Sequence, residues 1–304
     1  FPTALFHLRN FQDLRMRLVL RVASIAALIS TPIPFLQAQG AGKTLAIDFR
    51  TTIAVEGTPD TGLIVGHAVG GASKMRLDVS MKGANAHVSP IADSAVTMIV
   101  TDSGRTIAYL DSRKNQYLRV RPAEMIAQAQ QMGGMKMDFS ETNAKVDNLG
   151  AGPVLLGHPT THYRVATGMT MTISAMGQQQ VAKVSSTNDM YYATDIAGDL
   201  NPFASLSGGD MVNMFGTTNK DFADKMKAAQ AKLPKGVPLR AVSSNTLAAQ
   251  GQQSRTTNSV AEVTALKWVD SDPKAFEIPT SYSSVQLPGL GGSPSDDGGA
   301  IPPR

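Results

Sequence analysis

Apolar and polar residues alternate along most of the chain between Leu45 and Val269. In the first run Leu45, Ile47, Phe49, Ile53 and Val55 share one parity, with Asp48, Arg50 and Thr52 on the other. Neighbouring side chains of a strand point to opposite faces, so this pattern predicts a strand with one buried face. Met75, Leu77, Val79 and Met81 repeat it against Lys74, Arg76, Asp78 and Ser80. Leu63 to Val69, Val96 to Val100, Arg105 to Asp111, Gln116 to Arg121 and Met137 to Val146 are further strand candidates. The longest alternation flanks Gly177, from Leu155 to Ile196, and predicts an antiparallel hairpin. Val237 to Leu247 and Arg255 to Val269 form a last pair, and Phe276 to Pro279 closes the domain. Turns such as Asp102-Ser103-Gly104 are short, which argues for a meander. Strands of this length suit a large curved sheet of roughly ten strands better than a compact sandwich.

Three stretches break the period of two. Pro122 occupies a favoured first helical position, and Met125, Ile126, Ala129 and Met132 follow on one stripe. A short apolar patch begins at Asn201 and reaches Phe215. Thr218 can cap a third helix in which Phe222, Met226, Ala229 and Leu233 share one face. The expected fold is therefore α+β, mostly β: one strongly curved antiparallel sheet with two or three helices over its concave face.

The first 39 residues read differently. Met16 to Gln39 has the layout of a secretory signal peptide: Arg17 and Arg21, an apolar core from Val22 to Ile29, a break at Pro32 and Pro34, and small residues at Ala38 and Ala41. Residues 1–15 precede the start expected at Met16 and are set aside as an upstream segment. Residues 40–287 then form one domain. From Pro288 the Gly, Ser, Pro and Asp composition predicts a disordered tail over 288–304. The expected product is exported to the periplasm or beyond, soluble, and without a transmembrane helix once cleaved.

The chain carries 28 Lys and Arg against 24 Asp and Glu. Four of those arginines (Arg9, Arg15, Arg17, Arg21) but only Asp13 lie before Gln39, so the domain itself is close to neutral. That balance gives no basic face for nucleic acid. Cysteine is absent, so the exported domain depends on its core and not on disulfides. Gly40-Ala41-Gly42-Lys43-Thr44 is not a phosphate-binding loop, because position 37 is Gln and a strand follows.

Three short patterns carry a resemblance. They are Gly157-His158-Pro159-Thr160-Thr161-His162-Tyr163, Met190-Tyr191-Tyr192-Ala193-Thr194-Asp195, and Phe276-Glu277-Ile278-Pro279-Thr280-Ser281-Tyr282, with the Gly236-to-Leu239 strand entry after a helix. Together, over Lys74 to Tyr282, they resemble an exported bacterial family of unknown function that is similar to the periplasmic lipoprotein carriers LolA and LolB. The resemblance implies a half-open β-barrel with helices across its concave side and an apolar cavity, which in the carriers holds acyl chains. The lipid-modified cysteine of the LolB type has no counterpart here.

Candidate chemistry is sparse. There is no Gly-x-Ser-x-Gly and no His-Glu-x-x-His, and neither His158 nor His162 has a partner recognisable from sequence. An enzyme is not expected, and no cofactor is. The 15 methionines stand out. Flexible thioethers suit a pocket for variable apolar ligands, and equally fill a loose core. The leading expectation is non-catalytic binding of a lipid or other apolar molecule by Met75, Leu77, Val79, Met98, Val100, Met169, Met171 and Ile173, under a lid carrying Phe222, Met226 and Leu233. An envelope protein is a possible further partner. One alternative is a Cu(I) site drawn from Met132, Met135, Met137, Met169, Met171, His158 and His162, since soft sulfur suits that ion. Another is a structural or interaction domain with a filled core.

Overall fold

The first strand pairs with both its neighbour in sequence and the last long strand, and this double pairing sets the architecture. The computed structural model describes residues 43–58, 61–82, 95–124, 136–175, 178–204 and 220–285. Strand β1 (Lys43–Val55) is followed by β2 (Thr61–Gly70), β3 (Met75–Lys82), β4 (Ala95–Thr101), β5 (Thr106–Asp111) and β6 (Gln116–Val120). Then come β7 (Lys136–Ala151), β8 (Thr160–Ala175), β9 (Gln178–Ala193), helix α1 (Lys220–Gln230), β10 (Val237–Ala249), β11 (Arg255–Asp270) and the short β12 (Ser283–Ser284). All twelve strands lie in one sheet of order β12-β6-β5-β4-β3-β2-β1-β11-β10-β9-β8-β7. Two meanders are thus joined along the β1–β11 seam. Every pairing is antiparallel except β12 with β6. The sheet is not closed: β7 forms one edge, and β12 with β6 the other.

The protein is mostly β, as the alternation predicts, with few helical residues among those described. The strand count exceeds the expected ten, in part because Ser283–Ser284 adds a two-residue parallel strand beside Gln116 and Tyr117. Residues Pro122 to Glu124 are helical and begin the helix expected there, but its stripe from Met125 to Met132 lies outside the described residues. So do most of the Asn201-to-Phe215 patch, residues 1–39 and the tail from Pro288. No described helix is long and apolar enough to cross a membrane.

Register fixes which residues share a face. Leu45, Ile47, Phe49 and Thr51 stand opposite Gly70, Ala68, Gly66 and Ile64 of β2. Those β2 residues face Met75, Leu77, Val79 and Met81 of β3, and Val100, Met98 and Val96 of β4 follow. Phe49, Leu77, Met98 and their neighbours form one buried cluster, closed from above by Phe203, whose ring meets that of Phe49 edge-on at 5.4 Å. The Phe49 ring lies over Gly66, where any Cβ would collide with it. The other face of the same strands is covered by the C-terminal segment: Phe276, with Ala275, Ile278 and Tyr282, packs on Ile99, Ala108 and Leu110.

In the second meander α1 lies against β7, and its Phe222 ring stacks on Phe139 at 4.8 Å. Phe139 pairs with Met171. Carried through β8, β9, β10 and β11, the register places Phe139, Met171 and Met190 on the same face as Leu45 and Met75. One continuous face therefore carries α1, Phe203 and the main core.

Candidate functional site

All eight predicted lining residues on strands fall on this helix-bearing face. Met75, Leu77, Val79, Met98 and Val100 belong to the first meander and are buried. Met169, Met171 and Ile173 lie on β8, at the far side of the sheet, and are only half-buried. The structure thus separates the predicted lining into a filled patch and a partly covered one. Phe222 is buried on α1, while Met226 on the same helix is half-buried. Leu233 was expected on the helix but lies three residues beyond its last residue, Gln230. Pro234 and Gly236 turn the chain into β10 there, and Gly236 sits so close to the Ala193 backbone that a Cβ would not fit. Leu233 still reaches the sheet, where it packs on Met190, Tyr192 and Ala241.

Between the two apolar patches runs a band of small polar side chains. One row across the sheet is Val165, Asn188, Ser243, Ser259 and Ile53. The next is Thr167, Ser186, Asn245, Thr257 and Val55. On one side the neighbouring row is Met190, Ala241 and Ala261; on the other it is Met169, Val184 and Leu247. Asn188 and Ser243 are buried, at 8% and 4% exposure. The Asn188 amide nitrogen donates to Ser186 Oγ at 2.9 Å, but its Oδ1 is buried without a partner among the described residues. Beside them the Tyr192 hydroxyl donates to the Met190 sulfur at 3.4 Å, and burial pushes its pKa up.

The opposite face is electrostatic. Arg164 forks onto both oxygens of Asp189 at 2.9 and 3.0 Å, and His162 Nε2 contacts the same carboxylate at 2.8 Å. The His162 ring stacks on Tyr191 at 4.5 Å. Arg50 donates twice to Glu262, at 3.1 and 2.7 Å. Arg240 Nε lies 3.4 Å from Glu262, at ion-pair distance but without hydrogen-bond alignment. His67 Nδ1 sits 2.6 Å from Asp48, and Arg76 forks onto Asp78, which also accepts from the Thr97 hydroxyl. Burial raises the pKa of Asp78 and of Asp189, but hydrogen bonds from Arg76 and Thr97 with the charge of Arg76 at Asp78, and hydrogen bonds from Arg164 and His162 with the charge of Arg164 at Asp189, outweigh it and hold both below the ordinary 3.8. Two shallow grooves open on this face, of about 310 Å³ over Val242 and Asn258 and about 450 Å³ over His67 and Asp78.

Among the described residues, those of the copper alternative do not gather. Met169 and Met171 are on the helix-bearing face, whereas His162 is on the opposite one, held by Asp189. His158 lies in a tight turn that pairs with Leu155, and its Nδ1 contacts Asp195 at 2.8 Å. Met132 and Met135 lie outside the described residues, and Met137 is described only by its strand pairing with Ile173. Among the described residues no group of three or more His, Asp or Glu side chains is placed to hold a metal ion.

The His162–Asp189 and His158–Asp195 pairs were invisible in sequence, because 27 and 37 residues separate the partners. A carboxylate can orient an imidazole for proton transfer. Among the described residues, however, no hydroxyl hydrogen-bonds to either ring, so neither pair is joined to a nucleophile. Asn188 was also missed; the one available signal was an Asn in a long strand whose neighbours of the same parity run Val184, Ser186, Met190. Comparison of the chain with protein-family models, curated proteins and solved structures gives no match.

Proposed function

We propose that the protein binds the apolar part of a lipid or similar molecule in the cell envelope, without catalysing a reaction. The observation that carries this reading is the state of β8 and its cover. Met169, Met171 and Ile173 present a row of large apolar side chains that stays half-buried beside a short amphipathic helix. Among the described residues that helix rests on β7, through the Phe222–Phe139 stack and a hydrogen bond from Lys225 Nζ to the Thr142 carbonyl at 3.0 Å. In this reading the helix moves away from the row and returns, and an acyl chain laid along the row completes its burial. Each methylene removed from water contributes about 0.8 kcal/mol, so a chain binds well without polar contacts.

In this reading the sheet curls into a half-open barrel around the helix-bearing face, as expected from the resemblance of its motifs to an exported family similar to the LolA and LolB carriers. The leader exports the chain, and ligand exchange needs no nucleotide. The buried patch of Met75, Leu77, Val79, Met98 and Val100 is the rigid wall, and β8 with α1 is the adjustable one.

The test is titration with N-phenyl-1-naphthylamine, an uncharged apolar fluorophore. A saturable rise in emission, displaced by a monoacylglycerol or a fatty acid and lost in Met171→Glu, is the expected result. Emission that never saturates, or that Met171→Glu leaves unchanged, contradicts the reading.

A further inference from the structure

The apolar face is interrupted by something a pure hydrocarbon would not need. Two adjacent rows of the helix-bearing face carry Asn188, Ser243 and Ser259, then Ser186, Asn245 and Thr257, flanked by Met190, Ala241 and Ala261 on one side and by Met169, Val184 and Leu247 on the other. None of these six is charged. Asn188 is more than nine-tenths buried, and its Oδ1 has no hydrogen-bond partner among the described residues. A buried carbonyl oxygen left unpaired is costly, and native proteins pair the large majority of such atoms. The Asn188 nitrogen is already committed to Ser186, which fixes the carboxamide with its acceptor end free.

We infer that this band is the headgroup subsite of the lipid-binding face, and that it takes an uncharged headgroup bearing hydroxyl donors, such as a glyceryl or glycosyl group. The inference rests on the reading that the face binds an amphiphile. The chemistry of the orphan atom selects the headgroup. Oδ1 is an acceptor, so the ligand must bring an N–H or O–H. A fatty-acid carboxylate has only acceptors and would leave Oδ1 unpaired while burying its own charge. A hydroxyl donates to Oδ1 and can accept in turn from the serine hydroxyls of the rows. Among the described residues of these strands, the charged side chain on this face nearest in register is Arg255, opposite Leu247 one row beyond the band; it is exposed and stands away from Asn188. The position of the band also fits. It lies one row from Met169 on β8, so a headgroup seated on Asn188 lets its chain run along Met169, Met171 and Ile173.

The experiment compares 1-monooleoylglycerol with oleic acid, which carry the same chain, on the wild type and on Asn188→Leu and Ser243→Ala. Binding is read by native mass spectrometry and by displacement of the apolar fluorophore. The wild type should prefer the monoacylglycerol by about tenfold or more, a factor of the size one good buried hydrogen bond supplies. Asn188→Leu should remove that preference and leave oleic acid binding within about twofold, and Ser243→Ala should reduce the preference in part. Circular dichroism establishes that each variant is folded; if Asn188→Leu is not, Ser243→Ala alone decides. Equal binding of both lipids, unchanged by either variant, would overturn the headgroup assignment while leaving the apolar reading intact, with Oδ1 satisfied by water only. Binding of neither lipid would overturn both.

Discussion

The two faces of the sheet are built from the same strands and obey different chemistry. On β3, Leu77 and Asp78 are adjacent in sequence. Leu77 is 3% exposed in a cluster of methionines, valines and phenylalanines. Asp78, one residue on, is held by Arg76 and Thr97 on the opposite face. On β9 the same division separates Met190 from Asp189. One face is closed by apolar contact and by α1. Over much of its extent the other is a lattice of cross-strand ion pairs that needs no cover. The difference shows where a ligand could add burial. The charged face is largely paired, with Arg240 Nε left at ion-pair distance from Glu262, whereas among the described residues the helix-bearing face retains half-buried methionines and the buried, unpartnered Oδ1 of Asn188.

The largest break in this comparison is to move one face's chemistry to the other. Leu77→Asp places an unpaired carboxylate in the main cluster, and the protein should fail to fold at neutral pH. Arg76→Ala, one residue away on the opposite face, should lower stability by no more than about 1 kcal/mol. Urea unfolding followed by circular dichroism separates the two outcomes.

The next effect is on the cover. Phe222→Ala removes the ring stacked on Phe139 and should cost about 3 kcal/mol. With α1 as the adjustable wall, loosening it also speeds ligand exchange, so stopped-flow release of the fluorophore should quicken. A loss of stability with unchanged release would detach α1 from the binding role.

Acid tests the charged face alone. Asp78 and Asp189 have folded-state pKa values below the ordinary 3.8, so their ionised forms are favoured by folding. Their contribution is complete above the unfolded value and is lost as pH falls through the lowered one. The melting temperature should therefore change little on their account from about pH 7 to 5 and drop below about pH 4. Asp189→Asn should flatten part of that acid limb without altering lipid affinity, because the residue faces away from the binding row.

The smallest effect concerns a turn. Leu156 has φ +53° and is followed by Gly157 at +83°, in the two-residue turn closed by the Leu155–His158 pair. A leucine is strained there, where asparagine is at home. Leu156→Asn should raise stability by up to about 1 kcal/mol, measured as a shift in melting temperature.

Much of the fold was legible because alternation is a local property. Leu45 to Val55, Met75 to Met81 and the hairpin around Gly177 read as strands from their own residues, and parity alone assigned Met75, Leu77, Val79, Met169 and Met171 to buried faces. The seam between β1 and β11 was not legible, since nothing near Lys43 points to Asp270. It took register across that seam to show that Met75 and Met171 share a face. Leu233 was misplaced because its spacing from Ala229 continues the helical stripe past the point where the chain turns. The polar band escaped notice for a related reason: Asn188, Ser243 and Ser259 are ordinary strand residues singly, and only pairing places them in one row.

The most direct test of lipid binding is native mass spectrometry of the protein purified without detergent, before and after denaturation. A lipid-binding face predicts an additional mass that leaves on denaturation and is identified in the released fraction as a neutral acyl lipid. A bare polypeptide mass that takes up neither 1-monooleoylglycerol nor oleic acid would contradict it.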